Sequence, residues 1–233
     1  MSIDKFKGQW MPISDMMTGL MMVFLFIAVS YAHSLRQESE SAIEKQDDIE
    51  EIVQRWIDYR NIIARDLHDE FDNDLEMWDA TIDDDTLSIR FESPEVLFGA
   101  GDDTVSPLFE TIISDFWPRY IGVLNRHSIN IDEIKIEGHT SSEWSGITTR
   151  EESYFNNMQL SQNRSRNVLQ LCYQKTPESL KKWVISTITA NGFSFSRLKY
   201  DEEGNEDMES SRRVEFTILV DSESSINEIS ETL

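Results

Sequence analysis

Residues 14–32 read SDMMTGLMMVFLFIAVSYA, and the seventeen positions from Met16 to Ala32 carry no formal charge. Counted back to Trp10 the run has 23 residues, roughly 34 Å of helix at about 1.5 Å per residue, enough to cross a bilayer. Asp15 stands at the head of the uncharged run. A carboxylate at the edge of a hydrocarbon slab costs on the order of 2.5–3.5 kcal/mol on the insertion scale. That cost is avoided if the group takes up a proton or faces polar groups of a partner. Asp15 is therefore a candidate ion carrier. Thr18, one turn onward on the same helix face, is a candidate polar neighbour, although a hydroxyl bonded to its own helix backbone is the plainer reading.

A cleaved signal peptide is the competing reading of this segment. Lys5 and Lys7 form a positive start, Met16 to Val29 an apolar core, and Ser30-Tyr31-Ala32 a small-x-small cleavage site. Against it, Trp10, Pro12 and Asp15 suit the interfacial end of a retained helix. Lys5 and Lys7 before the span nearly balance Arg36 and Lys45 after it, so positive charge hardly fixes orientation. The large acidic remainder favours a cytoplasmic amino terminus with the bulk of the chain outside.

The 233 residues leave room for one membrane segment and one ordinary domain. Lysine and arginine total 21 against 44 acids, a formal charge of −23. Such a surface repels phosphate, so DNA or RNA is not expected as a direct partner. The single cysteine, Cys172, permits neither an intrachain disulfide nor a CxxC metal pair and reads as a small buried hydrophobe. No nucleophile triad, P-loop or HExxH string is present. The expectation is a protein that is not an enzyme and needs no cofactor or metal beyond a transported ion.

Downstream of the span, Ser34 to Glu70 is charged and helix-forming, with Ile43, Ile49, Ile52, Val53, Trp56, Ile63 and Leu67 in one narrow apolar stripe. Pairing with a second copy, or docking on the domain that follows, would each cover it. The expected division is a cytoplasmic terminus (1–9), a transmembrane helix (10–33), a helical linker (34–75), a folded domain (76–220) and a disordered acidic tail (221–233).

Within the domain, Asp83-Asp84-Asp85 separates two alternating segments and predicts a hairpin, with Leu87, Ile89 and Phe91 on one face. Ser106-Pro107 opens a helix as N-cap and first residue, and Pro118 is expected to kink or interrupt it. Ile134 and Ile136 mark a strand ending in a glycine turn. A second helix is expected from near Asn157 to Tyr173, with Leu160, Val168, Leu169 and Cys172 inward. A third begins at Thr176-Pro177-Glu178. Strands near 189–198 and 213–220 flank an acidic loop at 201–209. Strands interleaved with helices predict an α/β (α+β) two-layer sandwich with a mixed sheet.

Two sets of strings carry resemblances. Trp10-x4-Asp15-x2-Thr18-Gly19-Leu20-Met21-Met22, then Phe24-Leu25-Phe26, resembles the transmembrane helix of MotB-type stator subunits. LFGAG (97–101), IKIEGHT (134–140), NMQLSQNRSRNV (157–168) and SRRVEF (211–216) resemble an OmpA-like peptidoglycan-binding domain over roughly residues 80 to 220. The third string is the most specific, following the family's Asn-x2-Leu-Ser-x2-Arg-x3-Val with serine where alanine is usual.

The first resemblance implies that Asp15 binds the transported proton or sodium ion, that the chain forms a homodimer, and that its partner is a MotA-like polytopic membrane subunit. The second implies that Arg164 grips the free carboxylate of a diaminopimelate-containing stem peptide, a match of planar donor fork to acceptor. It would be aided by a place near a helix start, with Asn157 giving an amide and Leu160 an apolar wall. Leu160 reads equally as core, and Asn157 as a helix cap. Arg213 is placed near the same pocket, with a sheet-edge ion pair as the alternative. His139 reads as a structural hydrogen-bonder. One departure stands out: the family usually follows GHT with an aspartate that binds the stem-peptide amine, whereas this chain has Ser141-Ser142-Glu143. Either Glu143 or a neighbour substitutes, or affinity is weaker, or the ligand differs. The GHTSSEW variant is similar to that of B subunits of Zorya anti-phage systems, themselves MotB-like. The resemblances together imply a single-pass inner-membrane protein with a periplasmic domain.

Overall fold

The computed structural model describes residues 4–92, 97–99, 101–146 and 149–220, with side chains from Asp15 onward. The tail expected from 221 and Ala100 of the LFGAG string lie outside the described residues. The first element is helix α1, Asp4–Trp78, and the chain divides into two compact units between Val53 and Gln54.

In the first unit, α1 presents its apolar run outward: Met16 and Phe26 are each 75% exposed, and Leu20 through Ile27 are exposed throughout. It is the one helix among the described residues long and apolar enough to cross a membrane. A core helix of a soluble protein would hide these side chains; a row left bare calls for lipid or a partner.

The second unit begins at Gln54, inside the segment read as linker. Ile63, Leu67 and Phe71, spaced four apart, are completely buried there. Charge fixes the same stretch in place. His68 Nδ1 lies 2.6 Å from Asp72 and Nε2 3.0 Å from Asp84, and Asp66 meets His127 at 2.9 Å. Arg119 donates to Glu70 and to Asp74, each at 2.7 Å. The last turns of α1 are thus part of the domain.

The hairpin follows as β1 (Ala80–Asp83) and β2 (Ser88–Phe91), with Leu87, Ile89 and Phe91 all buried. Helix α2 (Pro107–Arg126) starts where its cap signals place it, Ser106 Oγ accepting from Phe109 N at 3.0 Å. It runs through Pro118 without interruption. Trp117, Tyr120 and Ile121 flank that proline and are fully buried, and their burial outweighs one missing backbone hydrogen bond.

Strand β3 (Ile131–Gly138) precedes α3 (Arg150–Lys175). The helix begins seven residues earlier than expected from Asn157, at a capping box in which Thr149 and Glu152 satisfy each other's backbone N–H groups. Helix α4 (Lys181–Thr187) starts after the turn that follows Thr176, not at it. Strand β4 (Ile188–Gly192) is shorter than predicted, because the chain turns at Ser194, whose φ is +51°. The acidic segment holds a small pair, β5 (Lys199–Tyr200) and β6 (Glu206–Asp207), and one turn of helix, α5 (Met208–Ser211). Strand β7 (Val214–Val220) closes the domain.

The five-stranded sheet has the order β1-β2-β7-β3-β4. β3 and β4 are parallel and the other pairs antiparallel, so the sheet is mixed, as the alternation of helices and strands predicts. Phe116 on α2 lies 5.2 Å from Phe91 and 5.1 Å from Phe216 between ring centroids, joining the helical layer to β2 and β7. Helix α3 packs on β3 and β4.

Candidate functional site: a cationic cleft beside the GHT turn

The turn after β3 is held from both sides. His139 N donates to Arg213 O at 3.0 Å and Thr140 N to Ser194 O at 3.0 Å, so β7 and the chain beyond β4 fix its path. Ser194 N in turn donates to Ser161 Oγ on α3 at 3.0 Å. The turn and α3 then form two walls of a cleft of about 380 Å³, with Phe98, Trp144 and Arg212 on its rim.

Asn157, Leu160 and Arg164 recur at intervals of three and four, one face of α3, and all three line this cleft. Arg164 is 7% exposed. Its Nε donates to Asp102 O at 2.8 Å and its Nη2 to Gly99 O at 3.3 Å, while the guanidinium lies 4.7 Å from the Phe98 ring centroid. The residue thus braces the loop preceding α2 as well as facing the cleft. Asp103 O and its carboxylate receive Asn167 and Asn163, each at 2.8 Å, and tie the same loop to α3. Burial pushes the Arg164 guanidinium down to about 10, which leaves it charged at neutral pH. Arg164 sits in the middle of α3, not near its start, so the helix dipole, which fades within the first turn, adds nothing.

Asn157 does not cap the helix, since Thr149 does. Its Nδ2 donates to Glu143 O at 3.3 Å and ties the loop after the GHT turn to α3. Leu160 is half-buried and forms cleft wall instead of joining Val168 and Cys172 in the core. Leu169, expected inward, is half-buried and packs against the core.

Arg213 turns inward and is absent from the lining of this cleft; with Phe98, Arg164 and Arg212 it borders a smaller void beside it. It is 4% exposed, with Nε donating to Glu215 Oε1 at 2.7 Å and Nη1 to Ser211 O at 3.1 Å. Arg212 lines the cleft instead. Neighbouring residues of extended chain face opposite sides, and the tandem Arg212-Arg213 carried no signal of which side each would take.

Ser141, 3% exposed, lines the cleft at the position where the resemblance led one to expect an acid. Among the described residues the carboxylate in the lining is Glu143, 4.0 Å from Arg212. Ser142 gives both its N–H and its hydroxyl to Glu206 of β6, which anchors the turn to the acidic segment.

Behind the cleft, Glu137, His139 and Glu215 place one ligand atom each within 4.8 Å of the others, a spacing that a metal ion could use. Both carboxylates are already countered. Arg90 and Arg213 each donate to Glu215 Oε1 at 2.7 Å, and Arg197 to Glu137 Oε2 at 3.1 Å. His139 stacks on Phe193 at 5.1 Å between centroids. Its Nε2 lies 3.5 Å from Glu137 and 3.6 Å from Glu215, beyond ordinary hydrogen-bond reach. Its structural role therefore rests on ring stacking and on its backbone N–H bond to Arg213 O, and not on hydrogen bonds of the ring. Burial pushes this imidazole down. Asp15 and Thr18 lie in the other unit, three residues apart on α1.

No protein-family model matches the chain. A MotB-like protein from Desulfovibrio vulgaris has a crystal structure similar to this one, with 21% identity, a TM-score of 0.52, and coverage of 71% of this chain and 93% of that one. The periplasmic domain of Helicobacter pylori MotB (residues 78–256) aligns with a TM-score of 0.43 at 13% identity, covering 62% of this chain and 83% of that one. The Zorya protein ZorB of Escherichia coli (strain ATCC 8739, Crooks) is 42% identical over 227 residues, 97% of this chain and 94% of that protein. With 42% identity and near-complete coverage in both directions, the chain belongs to the ZorB family.

Proposed function

We propose that this chain is the ion-conducting, wall-anchored stator-type subunit of a Zorya-like anti-phage motor in the bacterial inner membrane. Asp15 carries the reading: one carboxylate at the head of an exposed apolar helix, in the same chain as a MotB-like domain. Each elementary charge that crosses 100 mV of membrane potential delivers about 2.3 kcal/mol. That energy becomes work only if one part moves while another is held.

In this reading two copies place their Asp15 carboxylates against a MotA-like polytopic subunit, with Thr18 as a polar neighbour. Loading and unloading of a proton or sodium ion at Asp15 changes its contact with that partner. The amino terminus faces the cytoplasm, and the domain in the periplasm holds a diaminopimelate-containing stem peptide in the cleft formed by Asn157, Leu160 and Arg164.

The test is Asp15→Asn in cells carrying the complete system. Normal assembly with loss of phage protection supports the mechanism. Retained protection would leave a passive cell-wall anchor, which has no use for the carboxylate.

A further inference from the structure

We propose that Glu137, His139 and Glu215 form a binding site for a divalent transition-metal ion of the zinc class, on the face of the sheet turned away from the helices. This site is separate from the cleft and does not depend on the wall-binding reading.

Strand register brings the three side chains together. Glu137 and Glu215 are partners across the antiparallel β3–β7 pair. Each alternates with core residues, Ile136 and Phe216 among them, so both carboxylates project from the opposite face. Like charges directly opposite one another weaken a sheet unless a cation draws both in. His139 follows two positions after Glu137, and its Nε2 lies between the two acids, 3.5 Å from Glu137 Oε2 and 3.6 Å from Glu215 Oε2.

Those separations are too long for a hydrogen bond. Both ring nitrogens are buried without a partner, on a residue that is 2% exposed, and a buried polar group in that state is costly. The same separations match the edge of a coordination tetrahedron. Ligands at about 2.1 Å from a tetrahedral zinc ion stand about 3.4 Å apart, and zinc accepts imidazole nitrogen and carboxylate oxygen together. The imidazole is already oriented, by its stack on Phe193 with the ring planes 7° apart. A water would supply the fourth ligand, and the ion would tie β3, β7 and the GHT turn at one point.

The surrounding arginines leave the required atoms within reach. Arg90 and Arg213 both donate to Glu215 Oε1, while Oε2 faces His139; hydrogen bonds to the second oxygen of a ligating carboxylate hold it in place. Glu137 Oε2 accepts from Arg197 at 3.1 Å. Arg197 is 54% exposed and rests on the Phe193 ring at 3.9 Å, so it can swing into solvent and yield its place to the ion. Asp83 and Glu92, 3.6 Å and 3.5 Å from Arg90, bring two more carboxylates to the cluster, and Lys199 one more cation. A dication in place of the Arg197 charge therefore changes the local balance by a single unit.

The test uses the full chain in detergent, stripped of metal with a chelator. Zinc chloride is titrated by calorimetry, and cobalt chloride by absorption, where a tetrahedral site gives an intense visible band and the aqueous ion a faint one. One ion per chain with the tetrahedral cobalt spectrum is the expected result. His139→Gln and Glu137→Gln should each weaken zinc binding about hundredfold or more, since even residues behind the ligands are worth up to about a hundredfold. Arg197→Ala removes the competing cation and should tighten binding several-fold, a sign that a merely structural Arg197–Glu137 pair would not produce. His68→Gln, which removes the other histidine set between carboxylates, should leave binding unchanged. Zinc should raise the unfolding midpoint of wild type and not that of His139→Gln. The proposal is overturned if wild type binds zinc no more tightly than His139→Gln, or if His68→Gln is the variant that loses the ion. Should His139→Gln fail to fold, weaker zinc binding by Arg197→Ala than by wild type overturns it instead.

Discussion

Gly138 and Gly192 are register partners across the parallel β3–β4 pair, and both lie beneath the same turn of α3. A Cβ on Gly138 would stand 2.5 Å from Ser161 O. One on Gly192 would stand 2.7 Å from Gln162 Cα and 2.8 Å from Ser161 Oγ. Neither glycine has the positive φ that L-residues avoid; what both supply is room. That room lets α3 lie close on the sheet, so that Asn157, Leu160 and Arg164 border the GHT turn.

Gly192→Ala should therefore destabilise the domain by about 3 kcal/mol, the upper end of ordinary overpacking, because the obstacle is helix backbone and not a flexible side chain. Urea unfolding of the full chain in detergent measures it. A loss below about 1 kcal/mol would mean that α3 can lift off the sheet without penalty.

Leu67→Ala tests the docking of the end of α1. Leu67 is fully buried among domain residues, and truncation there should cost about 3 kcal/mol. The same substitution at Ile43, which is 57% exposed, should leave the unfolding midpoint of the domain unchanged.

Arg213→Ala should lower stability by about 3 kcal/mol, because it strips a partner from a buried carboxylate. Burial alone would push the Glu215 carboxyl up; the guanidiniums of Arg213 and Arg90 outweigh it and hold the group down to about 2, from an ordinary 4.5. The unfolded chain then binds more protons between those values, so this stability is fully present above about 4.5 and is lost as pH falls toward about 2. Urea midpoints at pH 5 and pH 3 should differ less in Glu215→Gln than in wild type.

His68 gives the opposite sign. Its hydrogen bond to Asp72, with a second to Asp84, raises it above the ordinary 6.5 against the effect of burial. The stabilisation is complete below about 6.5 and is lost as pH rises through the elevated value. With 36% of the side chain exposed, solvent screening keeps the effect below about 1 kcal/mol. The midpoint difference between wild type and His68→Gln should shrink from pH 6 to pH 9. A difference that stays constant across this range would place the coupling elsewhere.

Much of the domain was legible because its signals are local. Ser106-Pro107 marks a helix start through groups one to three residues apart, and the alternation of Leu87, Ile89 and Phe91 marks a strand. The start of α3 is legible too, in the Thr149–Glu152 capping box, a nearer start signal than the Asn157 string. Pro118 does not interrupt α2, because local propensity does not register the burial of Trp117 and Tyr120 around it. The sequence left Arg213 open between the cleft and an ion pair of the last strand, and the 2.7 Å pair with Glu215 answers to the second; a strand pattern gives two faces without saying which one meets a cleft.

By itself the sequence determined that this chain has one apolar run with a carboxylate at its head, and that an α/β domain follows. Both are properties of spacing and transfer free energy along the chain. Only the tertiary structure decided that the last turns of α1 belong to that domain, that Arg164 is largely occupied by the Gly99 and Asp102 carbonyls, and that Arg212, not Arg213, borders the cleft. Those outcomes depend on which distant segments meet and satisfy each other's charges and hydrogen bonds, and no local pattern encodes that choice.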